Sequence, residues 1–148
     1  MFAISEIKDF IASVVAGTSS FSVSPASGAS FTPEPSTVYN SSALEASAIL
    51  KASGGTFRSL TAQVDATAPT GAYYVLLMSG SATVPVNGAV TILRALRVDH
   101  VNGVTDTVSF DEGDAGVAFS TGLTVCLSTT WPTKTISGSY CTFAGSVL

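Results

Sequence analysis

Three carboxylates crowd a glycine turn in FDEGDAG, residues 110–116: Asp111, Glu112 and Asp114. Oxygen ligands at that spacing suit a hard cation such as calcium, and Asp99 on the preceding loop is the most plausible further ligand. The segment lacks the length of an EF-hand loop and brings few other ligands with it. It reads as a solvated turn between two strands, so no metal and no cofactor is expected.

A hydrolase would have to use His100, the single histidine, with Ser109 or another of many serines as nucleophile. A triad is recognised by geometry, and no Gly-x-Ser-x-Gly elbow stands on a strand-to-helix turn. His100 therefore reads as a surface or loop residue, and the chain as a protein without enzymatic activity. Tyr73 and Tyr74 are adjacent, so in a strand one enters the core and the other faces outward. The outward ring reads as a subunit contact; together with Trp131 it is also a candidate sugar-stacking platform, although no set of carboxylates and amides is evident beside it. Cys126 and Cys141 are too few for a disulfide framework and lack metal-ligand spacing. A hairpin through Trp131 to Thr135 would set them nearly opposite on adjacent strands, but two reduced, buried thiols are the expected state in a cytosolic assembly.

The elements that must carry these residues are mostly strands. From residue 44 onward apolar and small polar residues alternate, which marks strands at 44–53, 56–66, 72–79, 89–98, 104–111, 115–119, 122–129 and 138–146. Residues 89–98 would also suit a short helix, but Val90, Thr91 and Val98 favour sheet. Turn signals separate the strands at Gly54-Gly55, Pro69-Thr70-Gly71, Asn87-Gly88, Asn102-Gly103 and Glu112-Gly113. Eight short strands so spaced predict an all-β β-sandwich, most simply a jelly roll. Phe119, Leu123, Val125 and Leu127 should point inward, and Gly122 should bend the chain with a positive φ.

The first 43 residues differ in character. Ile4, Ile7, Phe10, Ile11 and Val14 fall at helical spacing before Gly17, which predicts an amphipathic helix over residues 3–16 with one apolar face for docking on a partner. Residues 18–43 are rich in Ser, Thr, Gly, Ala and Pro, and Pro25, Pro33 and Pro35 would interrupt a ladder. They read as an extended arm, dividing the chain into a docking segment, 1–43, and a sandwich, 44–148. The start MFAISEIKDFIASVVAG has no basic leading region and carries Glu6, Lys8 and Asp9 within it, so it reads as uncleaved.

Composition narrows the partners. Only 11 % of the 148 residues are charged and 46 % are hydrophobic, so the chain should fold and present a surface of hydroxyls, amides and small apolar groups. A net charge of −4 with six scattered basic residues argues against nucleic acid, whose affinity comes from clustered Lys and Arg. No apolar run approaches the length of a membrane span, so no membrane is expected as a partner.

Three stretches resemble a widespread group of small structural proteins of tailed bacteriophages: ILKASGGTFRSLTAQV (49–64), YYVLLM (73–78) and GVAFSTGLTVCLSTT (116–130). They follow that group's order of Lys-Ala-Ser-x-Gly, aromatic-rich strand and Gly-x-x-Phe-Ser-Thr-Gly strand pair, over about residues 44–130. FDEGDAG, VNGVTDT and the longer final hairpin depart from it, and the amino-terminal 43 residues lie outside it. The resemblance implies a jelly-roll-like sandwich in a virion, assembled in the host cytoplasm. A capsid decoration or cement protein is the leading expectation, attached by the arm to the major capsid protein and trimeric, because an outward apolar patch with few charges is best covered by copies of itself. A head-fibre base or tail- or neck-associated protein is next, and a carbohydrate-binding module for host attachment is the alternative of a different class.

Overall fold

The computed structural model describes residues 36–148, which form nine strands: β1 (Thr37–Asn40), β2 (Ser47–Lys51), β3 (Gly55–Val64), β4 (Gly71–Ser79), β5 (Ile92–His100), β6 (Asp106–Asp111), β7 (Val117–Phe119), β8 (Leu123–Ser128) and β9 (Cys141–Val147). The eight strands expected from alternation are all present, and the ambiguous stretch is strand β5. The predicted helix, with Ile4, Ile7, Phe10, Ile11 and Val14, lies outside the described residues.

Two antiparallel sheets carry the orders β1-β9-β3-β6 and β2-β8-β4-β5, and short β7 pairs with β3. The pairs β1·β9, β2·β8, β3·β6 and β4·β5 are those of one long hairpin folded double, and β9·β3 and β8·β4 close the roll. That is the jelly-roll order, with β7 as an addition. Nesting each strand pair inside the next satisfies both edges of the central strands, which is why β3, β4, β8 and β9 have ladders on both sides. Pairing with β6 begins at Ser59, just past a bulge in β3, and β7 takes over the same edge from Gly55 to Phe57.

β1 is the first departure from the sequence reading. Thr37–Asn40 falls in the stretch taken for an extended arm, yet it pairs with Val147 through Ala144 of β9. Four residues are too short for a periodic signal, and the ladder supplied by β9 decides their conformation. Tyr39 packs against the core and donates a 2.7 Å hydrogen bond from its hydroxyl to Glu45 Oε2, so the sandwich begins ahead of residue 44.

The core lies between the sheets. Phe57, Leu60, Ala62, Val64, Phe110, Phe143 and Val147 face Leu50, Tyr73, Val75, Leu77, Val98, Leu123, Val125 and Leu127, all buried. Phe119, Leu123, Val125 and Leu127 belong to this cluster as the alternation requires. What alternation does not reveal is that β8 is buried at every position, its polar Thr124 and Ser128 included. A second cluster of Leu76, Met78 and Cys126 sits on the far side of the same sheet, with Tyr74, Val90, Ile92 and Ala95 against it. Two connecting segments, 80–91 and 129–137, meet over it, where Gly88 and Lys134 exchange backbone bonds of 2.9 and 2.8 Å. Lys134 is itself buried there, with its ammonium donating to Pro85 O.

Gly122 is required for a reason other than the expected one. It is absent from the glycines with positive φ, but a Cβ at this position would drive into the backbone carbonyl of Ser81. Gly113, by contrast, does need the left-handed region, at φ +62°, inside the acidic turn. Gly122→Val should therefore lower stability by about 1 to 3 kcal/mol, through overpacking against fixed backbone. The urea midpoint of the variant checks this, and Gly122→Ala should already show a loss, because the first carbon carries the clash.

Candidate functional site

The residues singled out for chemistry are dispersed over the sandwich. Asp111 caps its own turn, with Oδ1 accepting from Gly113 N at 2.9 Å. Glu112 is held by Arg94, whose Nε and Nη2 donate to its two oxygens at 2.5 and 2.9 Å. That fork joins the end of β6 to β5 across the open side of the sandwich. Asp99 turns instead to Arg97 on its own strand, 2.7 Å away. Among the described residues, no three of His, Cys, Asp or Glu gather closely enough to hold a metal ion. Asp111, Glu112, Asp114 and Asp99 are thus not brought together as a ligand set.

His100 is not the surface or loop residue expected. It ends β5, is 2 % exposed, and is fixed at both ring nitrogens: Nδ1 lies 2.6 Å from Asp106 Oδ2 and Nε2 lies 3.1 Å from Ala68 O. Tyr73 meets the ring edge-on, with centroids 6.1 Å apart. Both nitrogens therefore face acceptors, and the nitrogen a base would use is occupied by a backbone carbonyl. Ser109 is on the outer face of the sheet, where it shares a 3.1 Å hydrogen bond with Thr61. The histidine's role is mechanical. With Asn102, which donates to Ala66 O and Ala68 O at 3.2 and 3.0 Å, it ties the β3–β4 turn to the β5–β6 turn. Asp65 anchors the same turn by accepting from the Thr67 N–H and hydroxyl at 2.9 and 2.6 Å, and these bonds hold its carboxyl below the usual range.

The cysteines are free and buried. The chain after β8 does turn back, with Thr129 N donating to Thr135 O and Ser128 bridging to Ile136, but it then crosses to the other sheet before Cys141. Cys126 consequently looks out from β8 into the second cluster, while Cys141 looks in from β9, on strands that share no ladder. The anticipated opposition on adjacent strands does not form. Burial pushes the Cys126 thiol up to about 11, with Lys134 pulling the other way, and the Cys141 thiol up to about 12.

Two surfaces remain. The outer face of the β1-β9-β3-β6 sheet is a grid of small side chains in register: Val38, Ser146, Ser59 and Asp111 near one end, then Asn40, Ala144, Thr61 and Ser109, then Thr142, Gln63 and Thr107. Asp111 is the one charge in these rows, and Arg58, at the β3 bulge beside it, donates to Gly113 O at 3.2 Å. A shallow groove of about 300 Å³ runs over Asn40, Thr61, Gln63, Thr107 and Thr142. On the opposite sheet the two tyrosines separate as their adjacency requires. Tyr73 is buried, its hydroxyl donating to Pro69 O at 3.0 Å, and Tyr74 faces outward. Tyr74 stands opposite Arg97 and lines a depression of about 160 Å³ with Ala95, Arg97 and Trp131. The Arg97–Asp99 pair beside the aromatics is the polar group that the sequence did not reveal, because cross-strand register alone puts it there.

No family model, curated protein or solved structure matches the chain. The class that the topology defines is an antiparallel jelly-roll β-sandwich. Among the described residues no helix is long and apolar enough to cross a membrane.

Two outcomes follow from the buried groups. Both thiols have folded values above the ordinary 9.0, so their contribution to stability is complete below that pH and is lost as pH rises from there towards about 11 and about 12. Burial also raises Tyr39 and Tyr73, which adds to the loss above the usual phenol range. The stability measured by urea unfolding should fall as pH rises from about 9 towards about 11, by up to roughly 1 kcal/mol per pH unit for each thiol, and a Cys126→Ala, Cys141→Ala protein should show a shallower fall. His100→Leu should cost about 1 to 3 kcal/mol, since it strips partners from Asp106 and Ala68 O, and equilibrium denaturation measures it.

Proposed function

We propose that the protein is a non-enzymatic structural component of a tailed-phage virion, a capsid decoration or cement protein whose jelly roll assembles as a homotrimer and whose amino-terminal residues join it to the major capsid protein. The observation that carries this reading is the outer face of the β1-β9-β3-β6 sheet, a four-strand grid of hydroxyl, amide and small apolar side chains whose charges, Asp111 in the grid and Arg58 at the β3 bulge beside it, stand at one end. Burying such a face in a heterologous contact with the next copy around a three-fold axis desolvates little charge, and each threonine or amide can find a hydrogen-bond partner there. The engagement of both nitrogens of the single histidine by Asp106 and Ala68 also favours a role exercised through surfaces.

Attachment and assembly are separable by experiment. Deletion of residues 1–35 spares β1, whereas a cut at residue 40 would strip it from β9. The shortened protein should melt cooperatively and sediment as a trimer, yet fail to co-sediment with undecorated particles. Wild-type occupancy by the shortened protein would place the attachment in the sandwich. Thr61→Lys with Thr142→Lys should convert the trimer to monomer in sedimentation equilibrium, because like charges would be buried in the proposed contact. Copy number in purified particles on the order of hundreds fits decoration, and a single ring's worth fits a neck or tail part.

A further inference from the structure

The outward aromatics are not absorbed by the proposed trimer contact, which uses the other sheet; Tyr74 packs one side against the second cluster and leaves the rest outward. Trp131 is 54 % exposed and is the chain's single tryptophan. Exposing half an indole leaves a large apolar area in water, and here it stands over a depression shared with Tyr74, Ala95 and Arg97. The register explains the gathering. Tyr74 pairs with Arg97 on one side and with Ser128 on the other, and Ser128 starts the turn that carries Trp131. That turn is fixed by Ser128 Oγ, which accepts from Thr130 N at 3.2 Å and Thr135 N at 2.9 Å, and by Thr130 Oγ1 donating to Thr133 O at 2.7 Å. The wall is therefore held in place before any ligand arrives.

From this geometry we propose that the Tyr74–Ala95–Arg97–Trp131 depression is a binding site for a neutral hexopyranose unit of a glycan. A pyranose offers two chemically distinct surfaces, a C–H face that packs on an aromatic ring and a rim of hydroxyls that both donate and accept. The depression supplies the counterpart of each. Trp131 and Tyr74 give the aromatic surface, and Arg97 with Asp99 gives adjoining donors and acceptors at the rim. Arg97 directs Nε and Nη2 at the same Asp99 oxygen, Oδ1, at 2.9 and 2.7 Å, so Oδ2 and Nη1 remain to meet vicinal hydroxyls. The pair is electrically closed, which disfavours phosphate or carboxylate ligands, since these would meet Asp99 at close range. A second copy of the chain is the poorer occupant. The Arg97 and Asp99 side chains are 59 % and 71 % exposed, and burying them in an interface core would cost desolvation that a water-filled sugar rim does not. The site is independent of the virion assignment, and its test reads neither particles nor trimer.

Because Trp131 is the single tryptophan, its emission in the full-length protein reports the site directly. The probes are the methyl glycosides of glucose, galactose, mannose and N-acetylglucosamine and their linear tetrasaccharides. At least one should produce a saturable change in Trp131 emission, with a dissociation constant below about 10 mM. Tyr74→Ala and Arg97→Ala should each weaken that binding by about tenfold or more, Arg97→Ala while melting as wild type does and Tyr74→Ala at some cost in stability, and Arg97→Lys should restore charge but not affinity. Should Tyr74→Ala fail to fold, Arg97→Ala and Arg97→Lys carry the comparison alone, since Arg97 is exposed at the sheet surface. The proposal is overturned if no probe gives saturation, if binding survives unchanged in the arginine variants, or if Trp131 emission tracks protein concentration through self-association that Arg97→Ala abolishes.

Discussion

Strand β8, and β4 from Val75 to Met78, are closed to water on both sides, and the arrangement of everything else depends on that. One side faces the main core through Val75, Leu77, Leu123, Val125 and Leu127, and the other carries Leu76, Met78 and Cys126. An antiparallel sheet ordinarily leaves one face to solvent. Here the apolar residues of the second face oblige segments 80–91 and 129–137 to fold over it, pinned at Gly88 and Lys134. The same folding sets the position of Trp131, which lies in the second of those segments. Burial of the second face and the exposed aromatic at its margin are thus two results of one packing demand.

At another part of the sandwich the organising force is hydrogen bonding. His100, Asp106, Asn102 and Asp65 tie the β3–β4 and β5–β6 turns together around Ala66 and Ala68. Loops at that place would otherwise leave buried carbonyls without donors, and a side chain with two opposed ring nitrogens can serve a carboxylate and a carbonyl at once. The Arg94–Glu112 fork performs a similar closure on the open side, but between partly exposed groups, so its contribution is the modest one of a surface pair. Charge is scarce in this chain, and several of its charged residues, Asp65, Arg94, Asp106 and Glu112, are spent on holding turns.

The strands themselves were legible because alternation is a local property. Leu60, Ala62 and Val64, or Cys141, Phe143 and Val147, point inward by counting twos, and the glycine and asparagine pairs mark where the counting restarts. Tyr74 facing outward and Tyr73 inward followed from adjacency alone. The sites fared otherwise. His100 read as a loop residue because nothing near it in sequence predicts Ala68, thirty-two residues away, as a partner. Glu112 read as a spare carboxylate because Arg94 reaches it only after β5 and β6 are placed. The two cysteines read as neighbours because a hairpin and a crossover to the second sheet look alike in the fifteen or so residues between them.

Composition and period two determined, without any structure, that the region from residue 44 is all-β, that eight of its strands lie where they do, and that its surface carries little charge. Both properties belong to each residue and its nearest neighbours, so no distant contact is needed to express them. Only the tertiary structure decided that Thr37–Asn40 is a strand, that β8 has no outer face in water, and that Arg97 and Asp99 stand beside Tyr74 and Trp131. Each of those depends on which strand lies next to which, and strand adjacency is chosen by the summed burial of the whole sandwich, a quantity that no short stretch of sequence contains.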